Sequence, residues 1–291
     1  MHRADHEHFG FEVFPPTETI FHEVDFKSTR CLRSPRLEGE GSSVIVLVKG
    51  FDTERALQDA GPMIGRDTYV TSVQNGIGHA EKMARVVEER KIIVGVTTIG
   101  SAIVSPGHIE LTDAAYEGRG GTDFNFWKTR NDRKINDFLE IFLKAKILAG
   151  TPENINEIIW YKLAMASGMA ALTAICRLYV NHIIEQQEGI ELLESITKEV
   201  VRVAQAMGIQ IDYEEAVERG MVSFKGAGGH ITSMCTDILL GRKTEVDSLN
   251  GAVGEEGKRL GVSSPVNETI ARLVKLIEKN RGNQLLSYPT H

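Results

Sequence analysis

Lys162 is the ionisable residue whose setting most needs an explanation. It lies in the stretch 152–178, where Ile155, Ile158, Ile159, Leu163 and Met165 recur at roughly helical spacing before a run of small residues. An amine among apolar side chains is costly unless it is paired or reaches water. Lys162 is therefore either a stem that covers core with its head in solvent, or a lysine kept in a cleft for proton chemistry. Three other places carry polar groups at the ends of apolar runs: Lys49, Asn75, and the pair Thr97 and Thr98. Each is a plausible turn or cap, and Asn75-Gly76 is a turn signal in its own right. Together they fall on one edge of a sheet, where open α/β folds bind ligands. Late in the chain, Ser233 and Asp237 sit on a helix opened by Gly228-Gly229, and Thr244-Glu-Val-Asp247 follows Gly241. Read alone, Ser233 is an ordinary helix serine, and Glu245 and Asp247 are first-turn charges favoured by a helix dipole.

The elements that must position these groups change character along the chain. Thr151 can cap the helix of Lys162, Pro152 suits its first position, and Glu153 places an anion at its positive end. Before it, the apolar runs 44–48, 68–73 and 92–97 alternate with helical stretches at 53–60 and 79–90, the pattern of a parallel sheet. The uninterrupted run 44–48 is that of a strand buried on both faces. An antiparallel strand is expected at 108–111, a helix at 132–143 and a short strand at 146–148. After 151 only helices are expected, at 152–178, 185–207, 213–222, 230–241, 244–260 and 266–279. The fold class is α/β followed by all-helical, divided into 1–151 and 152–291. Within 1–43 a short strand is expected at 18–24 and a loop at 34–43. His2, His6 and His8 read as a solvated terminus rather than a metal site.

Composition narrows the function classes. The chain of 291 residues carries a net charge of −7 and no basic stripe, which argues against nucleic acid as a partner. Cys31, Cys176 and Cys235 are too scattered for a disulfide framework or a zinc site, so the expected compartment is the cytoplasm. No apolar run of membrane-spanning length and no signal peptide is apparent, so no membrane partner is expected.

A set of short motifs then forms a recognisable order. It comprises Val46-Leu-Val-Lys49, Gln74-Asn-Gly76, Gly95-Val-Thr-Thr-Ile-Gly100, Pro106-Gly-His-Ile109, Trp160-Tyr-Lys-Leu163 and Ala171-Leu-Thr-Ala174. Ser233-Met234 with Asp237, Thr244-Glu-Val-Asp247 with Asn250-Gly251, and Gly261-Val with Pro265-Val-Asn267 complete it. In these motifs the chain resembles the ketopantoate reductase family. The resemblance implies a Rossmann-like domain, a helical domain, and NADPH-dependent reduction of a 2-keto acid to a 2-hydroxy acid, as in pantothenate biosynthesis. Such a reaction puts a hydride on carbon and a proton on the oxygen where charge develops. The resemblance places the general acid at Lys162, with Glu245 holding and tuning its ammonium beside the cofactor. It gives the substrate carboxylate to Ser233, the nicotinamide and substrate to Asn75, and the cofactor to Lys49. Arg3, in Arg3-Ala-Asp-His6, corresponds to the arginine facing the NADP 2′-phosphate. It also allows a homodimer.

Two departures from the family pattern carry expectations of their own. No Gly-x-Gly-x-x-Gly turn joins a strand to a helix: Gly39-Glu-Gly41, Gly118-Arg-Gly120 and Gly226-Ala-Gly228 lack the third glycine or the setting. The Rossmann-like domain is therefore read as N-terminally incomplete. Either an apolar edge lies open beside 44–48, or residues 1–43 supply a strand to it. The second departure is that Ala166 and Ala170 stand where the family carries asparagines on the lysine's helix face. A wider, more apolar pocket follows, one that prefers bulkier or less hydroxylated 2-keto acids to ketopantoate. The missing glycine turn also supports an alternative, a non-catalytic relative serving as a binding or dimerisation module.

Overall fold

The computed structural model describes residues 11–14, 20–22, 43–105, 108–111 and 121–284. Its main sheet has five strands in the order β3-β4-β5-β8-β9. These are β3 (Ser43–Val46), β4 (Tyr69–Ser72), β5 (Ile92–Thr97), β8 (Thr122–Phe126) and β9 (Ala149–Gly150). β3, β4 and β5 are parallel neighbours, β8 runs antiparallel to β5, and β9 is parallel to β8. A smaller sheet takes β1 (Phe11–Phe14), β2 (Ile20–His22), β6 (Ser101–Ser105) and β7 (His108–Leu111) in the order β2-β1-β7-β6. The strands contributed from 1–43 thus pair with each other and with β7, not with β3.

Strand β5 explains why the larger sheet is layered. Its alternate residues face opposite sides, as a pleated strand requires. Ile92 and Val94 join Leu57 and Met83 of α1 (Thr53–Asp59) and α2 (His79–Ala84) on one face. Ile93 joins Phe124, Phe126 and Phe138 on the other, beneath α3 (Asp132–Lys144). Gly95 is required here: a Cβ on it would lie 2.2 Å from the carbonyl oxygen of Asp123 on β8.

Strand β3 corrects one expectation. The run 44–48 is not buried on both faces; Ile45 is 46% exposed, Leu47 66% and Val48 40%. It is the end strand of its sheet and its outer side pairs with no strand among the described residues. The regular strand also stops at Val46, so Lys49 stands three residues beyond it.

The rest is helical: α4 (Ile155–Cys176), α5 (Val180–Ile184), α6 (Gln187–Ala206), α7 (Tyr213–Ala227), α8 (Ser233–Leu240), α9 (Asn250–Leu260) and α10 (Pro265–Lys279). α4 is the axis on which the others pack. Trp160, Leu163, Ala164, Met169, Ala171 and Leu172 are all buried in one core with residues of α6 to α10. Gly168 lets α6 approach, since a Cβ there would meet Leu193 at 3.0 Å. α4 is long and apolar enough to cross a membrane by length and composition, contrary to the sequence expectation; two thirds of its apolar stretch is buried within the fold. Its first residues also belong to the sheet: Ile155 is buried with Val70 and Val94, and Ile158 and Ile159 pack beside it.

Several boundaries move for physical reasons. α4 starts at Ile155 after Asn154 rather than at Pro152, and α2 ends at Ala84 rather than near 90. The segment 244–249 is a series of turns, so Glu245 and Asp247 are not first-turn charges; α9 begins at Asn250. The strand expected at 146–148 is β9, slightly later. Strands β1, β6 and β8 and the short α5 were not expected. A buried carboxylate anchors the last helix. Glu199 of α6 is 3% exposed and accepts from the Val266 and Asn267 amides and the Asn267 side chain at 3.0, 2.9 and 2.9 Å.

Candidate active site

Lys162 stands at the seam between sheet and helices. It occupies the second turn of α4, just past the isoleucines that enter the sheet core, and its side chain reaches the carboxyl ends of β4 and β5. Its Nζ donates to Asn75 Oδ1 at 2.7 Å and to the Thr97 carbonyl at 2.6 Å. It is not a surface lysine with its head in water. Burial pushes its pKa down to about 8, and the charge of Glu245 opposes that shift. Around it stand Gln74, Gly76, Val96, Ile159, Leu163, Ala166 and Leu249. An ammonium has three donors. Two go to the bonds just described, and the third is left for another acceptor.

The other acidic and basic candidates form a neighbouring cluster. Lys49 Nζ donates to Asp237 Oδ2 at 2.6 Å and lies 3.6 Å from Glu245 Oε2. Glu245 Oε1 accepts from the Gly50 amide at 2.9 Å. Asp237 and Glu245 are buried, at 4% and 9% exposure, which is tolerable because each carboxylate is paired. The expected direct grip of Glu245 on Lys162 is absent: Glu245 bonds to Gly50, flanks Lys49, and acts on Lys162 through its field alone. Lys82 completes the arrangement by donating to the Gly50 carbonyl at 2.7 Å.

Between the two clusters runs the turn 74–79. Gln74 ties the strand ends together: Oε1 accepts from Ser72 Oγ at 2.8 Å, and its amide donates to the Val48 carbonyl. Gly76 and Gly78 have φ of +92° and +86°, where a side chain would be strained. The Ile77 amide donates to the Ser248 carbonyl at 3.0 Å, so a helical-region turn pins a sheet-region turn. At Gly76 a Cβ would fall 2.1 Å from that same carbonyl oxygen.

The structure thus brings together Lys162, Asn75 and Thr97 in one group, and Lys49, Asp237 and Glu245 in another. Ser233 lies exposed in the first turn of α8, one helical turn before Asp237, and is not bonded to either group. Arg3 and the histidines of the first eight residues lie outside the described residues, as does the loop expected at 34–43, apart from Ser43. Three participants went unremarked in the sequence: Gln74 as a tie rather than a motif letter, Ser248 as a backbone acceptor, and His79. Only Gln74 had a usable signal, its place in Gln-Asn-Gly.

Comparison with known proteins agrees across sequence and fold. Residues 5–120 match the family model described as ketopantoate reductase PanE/ApbA, and residues 154–278 match its C-terminal model. The 2-dehydropantoate 2-reductase of Aquifex aeolicus is 30% identical over 244 residues, covering 81% of this chain and 76% of that protein. That of Streptococcus pyogenes is 28% identical over 236 residues, covering 81% and 75%. Among solved structures, 2-dehydropantoate 2-reductase from Geobacter metallireducens superposes with a TM-score of 0.83 at 23% identity, covering 95% of this chain and 90% of that one. A D-mandelate dehydrogenase solved with NADH and anilino(oxo)acetate gives 0.80 at 24% identity, covering 85% and 80%.

Proposed function

The chain belongs to the ketopantoate reductase family, and from that premise we propose that it reduces a 2-keto acid to a 2-hydroxy acid with NADPH, a reaction of the ketopantoate-to-pantoate type. The observation that carries this reading is Lys162, an amine enclosed at the sheet's carboxyl edge with two donors fixed and one free. That third donor faces the substrate carbonyl oxygen, polarises it, and gives it a proton as negative charge develops. Asn75 keeps the ammonium aimed, and Glu245 sustains its charge from a distance. Ser233 takes the substrate carboxylate.

The residues at the cleft suit the nicotinamide end of a dinucleotide. Gly76 offers bare backbone, Asn75 an amide, and Lys49 and Glu245 charged groups at the edge where α/β sheets hold such ligands. NADP, when bound, supplies the hydride, and Arg3 is assigned to its 2′-phosphate. Ala166 beside Ile159, Leu163, Val96 and Leu249 makes the lining apolar, which favours a branched or aromatic side chain on the keto acid. The protein is read as cytoplasmic and as a homodimer. A Staphylococcus aureus ketopantoate reductase of similar fold, with a TM-score of 0.76, is described as dimeric, and light scattering after gel filtration tests the point here.

The deciding experiment follows NADPH and NADH oxidation with ketopantoate and with branched and aromatic 2-keto acids. Turnover is expected with NADPH, and Lys162→Ala is expected to abolish it while calorimetry still registers NADPH binding. Near wild-type turnover in that variant would sink the mechanism. A wild-type protein that neither binds nor oxidises either cofactor would favour the non-catalytic reading.

A further inference from the structure

His79 opens α2 four residues after Asn75, and the chain between them is Gly76-Ile77-Gly78. A turn with two glycines at positive φ has little stiffness of its own. Yet Asn75 at its start must hold its side-chain oxygen 2.7 Å from Lys162 Nζ. Something beyond Gly76-Ile77-Gly78 has to fix it. One anchor is the Ile77 amide on the Ser248 carbonyl. The other is His79, whose Nε2 lies 2.8 Å from the Asn75 carbonyl oxygen.

The chemistry of the ring fixes its tautomer. A carbonyl only accepts, so Nε2 must carry the proton and donate. Nδ1 then holds the lone pair; it is buried and has no hydrogen-bond partner among the described residues. Nothing there accepts a second proton-bearing bond, so the ring is suited to the neutral form. Burial is the main force keeping it neutral, with Lys82 adding to it; the Asn75 carbonyl and Glu245 pull the other way. The niche is shaped to the ring. A Cβ on Gly50 would lie 2.4 Å from His79 Cε1 and 3.0 Å from Ser248 Oγ, so only glycine at 50 admits the imidazole. Gly50 is also the residue whose amide Glu245 accepts and whose carbonyl Lys82 meets. The imidazole therefore sits between the two charged clusters and touches the backbone of both.

We propose that His79 is a positioning residue of this site: its Nε2–H bond to the Asn75 carbonyl holds the Asn75 amide against Lys162. The proposal rests on the reductase reading for its kinetic consequences, but not for its geometric one. Two substitutions separate the donor from the ring. His79→Gln keeps an N–H at nearly the same reach without the ring, and His79→Phe keeps a ring without the donor. Loss of one neutral hydrogen bond that acts through Asn75 should lower kcat about five- to tenfold and leave KM nearly unchanged. His79→Phe should show that loss and His79→Gln should recover most of it. In an Asn75→Ala background, His79→Phe should cost little more, because the group it positions is gone.

A readout independent of turnover keeps the inference separate from the function. Incorporation of 13Cε-labelled lysine, with Lys162→Arg to assign the signal, gives the unmodified Lys162 amine its own resonance and titration. That titration should move in His79→Phe and stay in His79→Gln, whether or not any keto acid is reduced. Should His79→Phe fail to fold, His79→Leu serves as the smaller donorless variant. Equal behaviour of the Gln and donorless variants, or full additivity with Asn75→Ala, would overturn the proposal.

Discussion

At the scale of single residues, the protonation of Lys162 sets the protein's response to pH. With its pKa lowered from 10.5 to about 8, the amine is charged at neutral pH and loses its proton within the reach of ordinary buffers. On the proposed mechanism, loss of that proton should make kcat/KM for keto-acid reduction fall as pH rises through about 8, measurable as an alkaline limb in the pH–rate profile. Stability should move the opposite way. Below pH 8 both folded and unfolded forms carry the proton, and the full cost of burying the charge is present. Between about 8 and 10.5 the unfolded chain holds more protons, so this group's penalty shrinks as pH rises. Ala166 and Ala170 are expected to bear on selectivity rather than rate. Ala166→Asn with Ala170→Asn should shift the ratio of catalytic efficiencies toward ketopantoate by about tenfold, the value of roughly one hydrogen bond. Lys162 and Asn75 could be picked out in the sequence because an amine in an apolar helix and a polar group after a strand are unusual for their surroundings, whereas Glu245 read alone as a first-turn charge and gained a role only through the family resemblance. His79 and Ser248 could not. His79 bonds to a backbone carbonyl and Ser248 contributes only its own, and any residue type offers a carbonyl.

At the scale of elements, buried polar anchors matter more than end preferences. Glu199 satisfies two amides at the start of α10, a helix whose Ser264 makes no side-chain cap. Glu199→Ala strands those donors and removes an anion from a helix N-terminus, so urea unfolding should give a loss of about 2–4 kcal/mol. The sequence shows why such features escape reading. Gly241 followed by Thr-Glu-Val-Asp resembles a helix start, yet 244–249 spends its backbone on turns that present Glu245 to Gly50 and Ser248 to Ile77. Strand β8, Thr-Asp-Phe-Asn-Phe, does alternate buried and half-buried, but over too few residues to stand out. By contrast β5 was plain as an unbroken apolar run, and α6 because its helical periodicity lasts through 20 residues.

At the scale of the whole molecule, the exposed end of the sheet and the closed cleft set the behaviour in solution. Ile45, Leu47 and Val48 lie on or just past an end strand whose outer side pairs with no strand among the described residues, a template for association. Ile45→Lys should reduce concentration-dependent light scattering at unchanged secondary structure by circular dichroism. The cleft beside Lys162 leaves about 10 Å³, scarcely the room of one water. The order of the two regions was readable from where strands give way to helices. The bonds between them were not, because those at the cleft join residues 65 to 195 positions apart.

Helix α4 has a further consequence. Its opening isoleucines complete the core of the sheet, while the turns beyond them form the centre of the helical core. One rod serves two cores, so neither can melt without unseating the other. Differential scanning calorimetry should record a single endotherm whose van't Hoff and calorimetric enthalpies agree. Cutting the chain at 151 should yield two polypeptides that are each molten alone and regain structure when mixed. Two separate endotherms from the intact chain would mean that the rod is jointed.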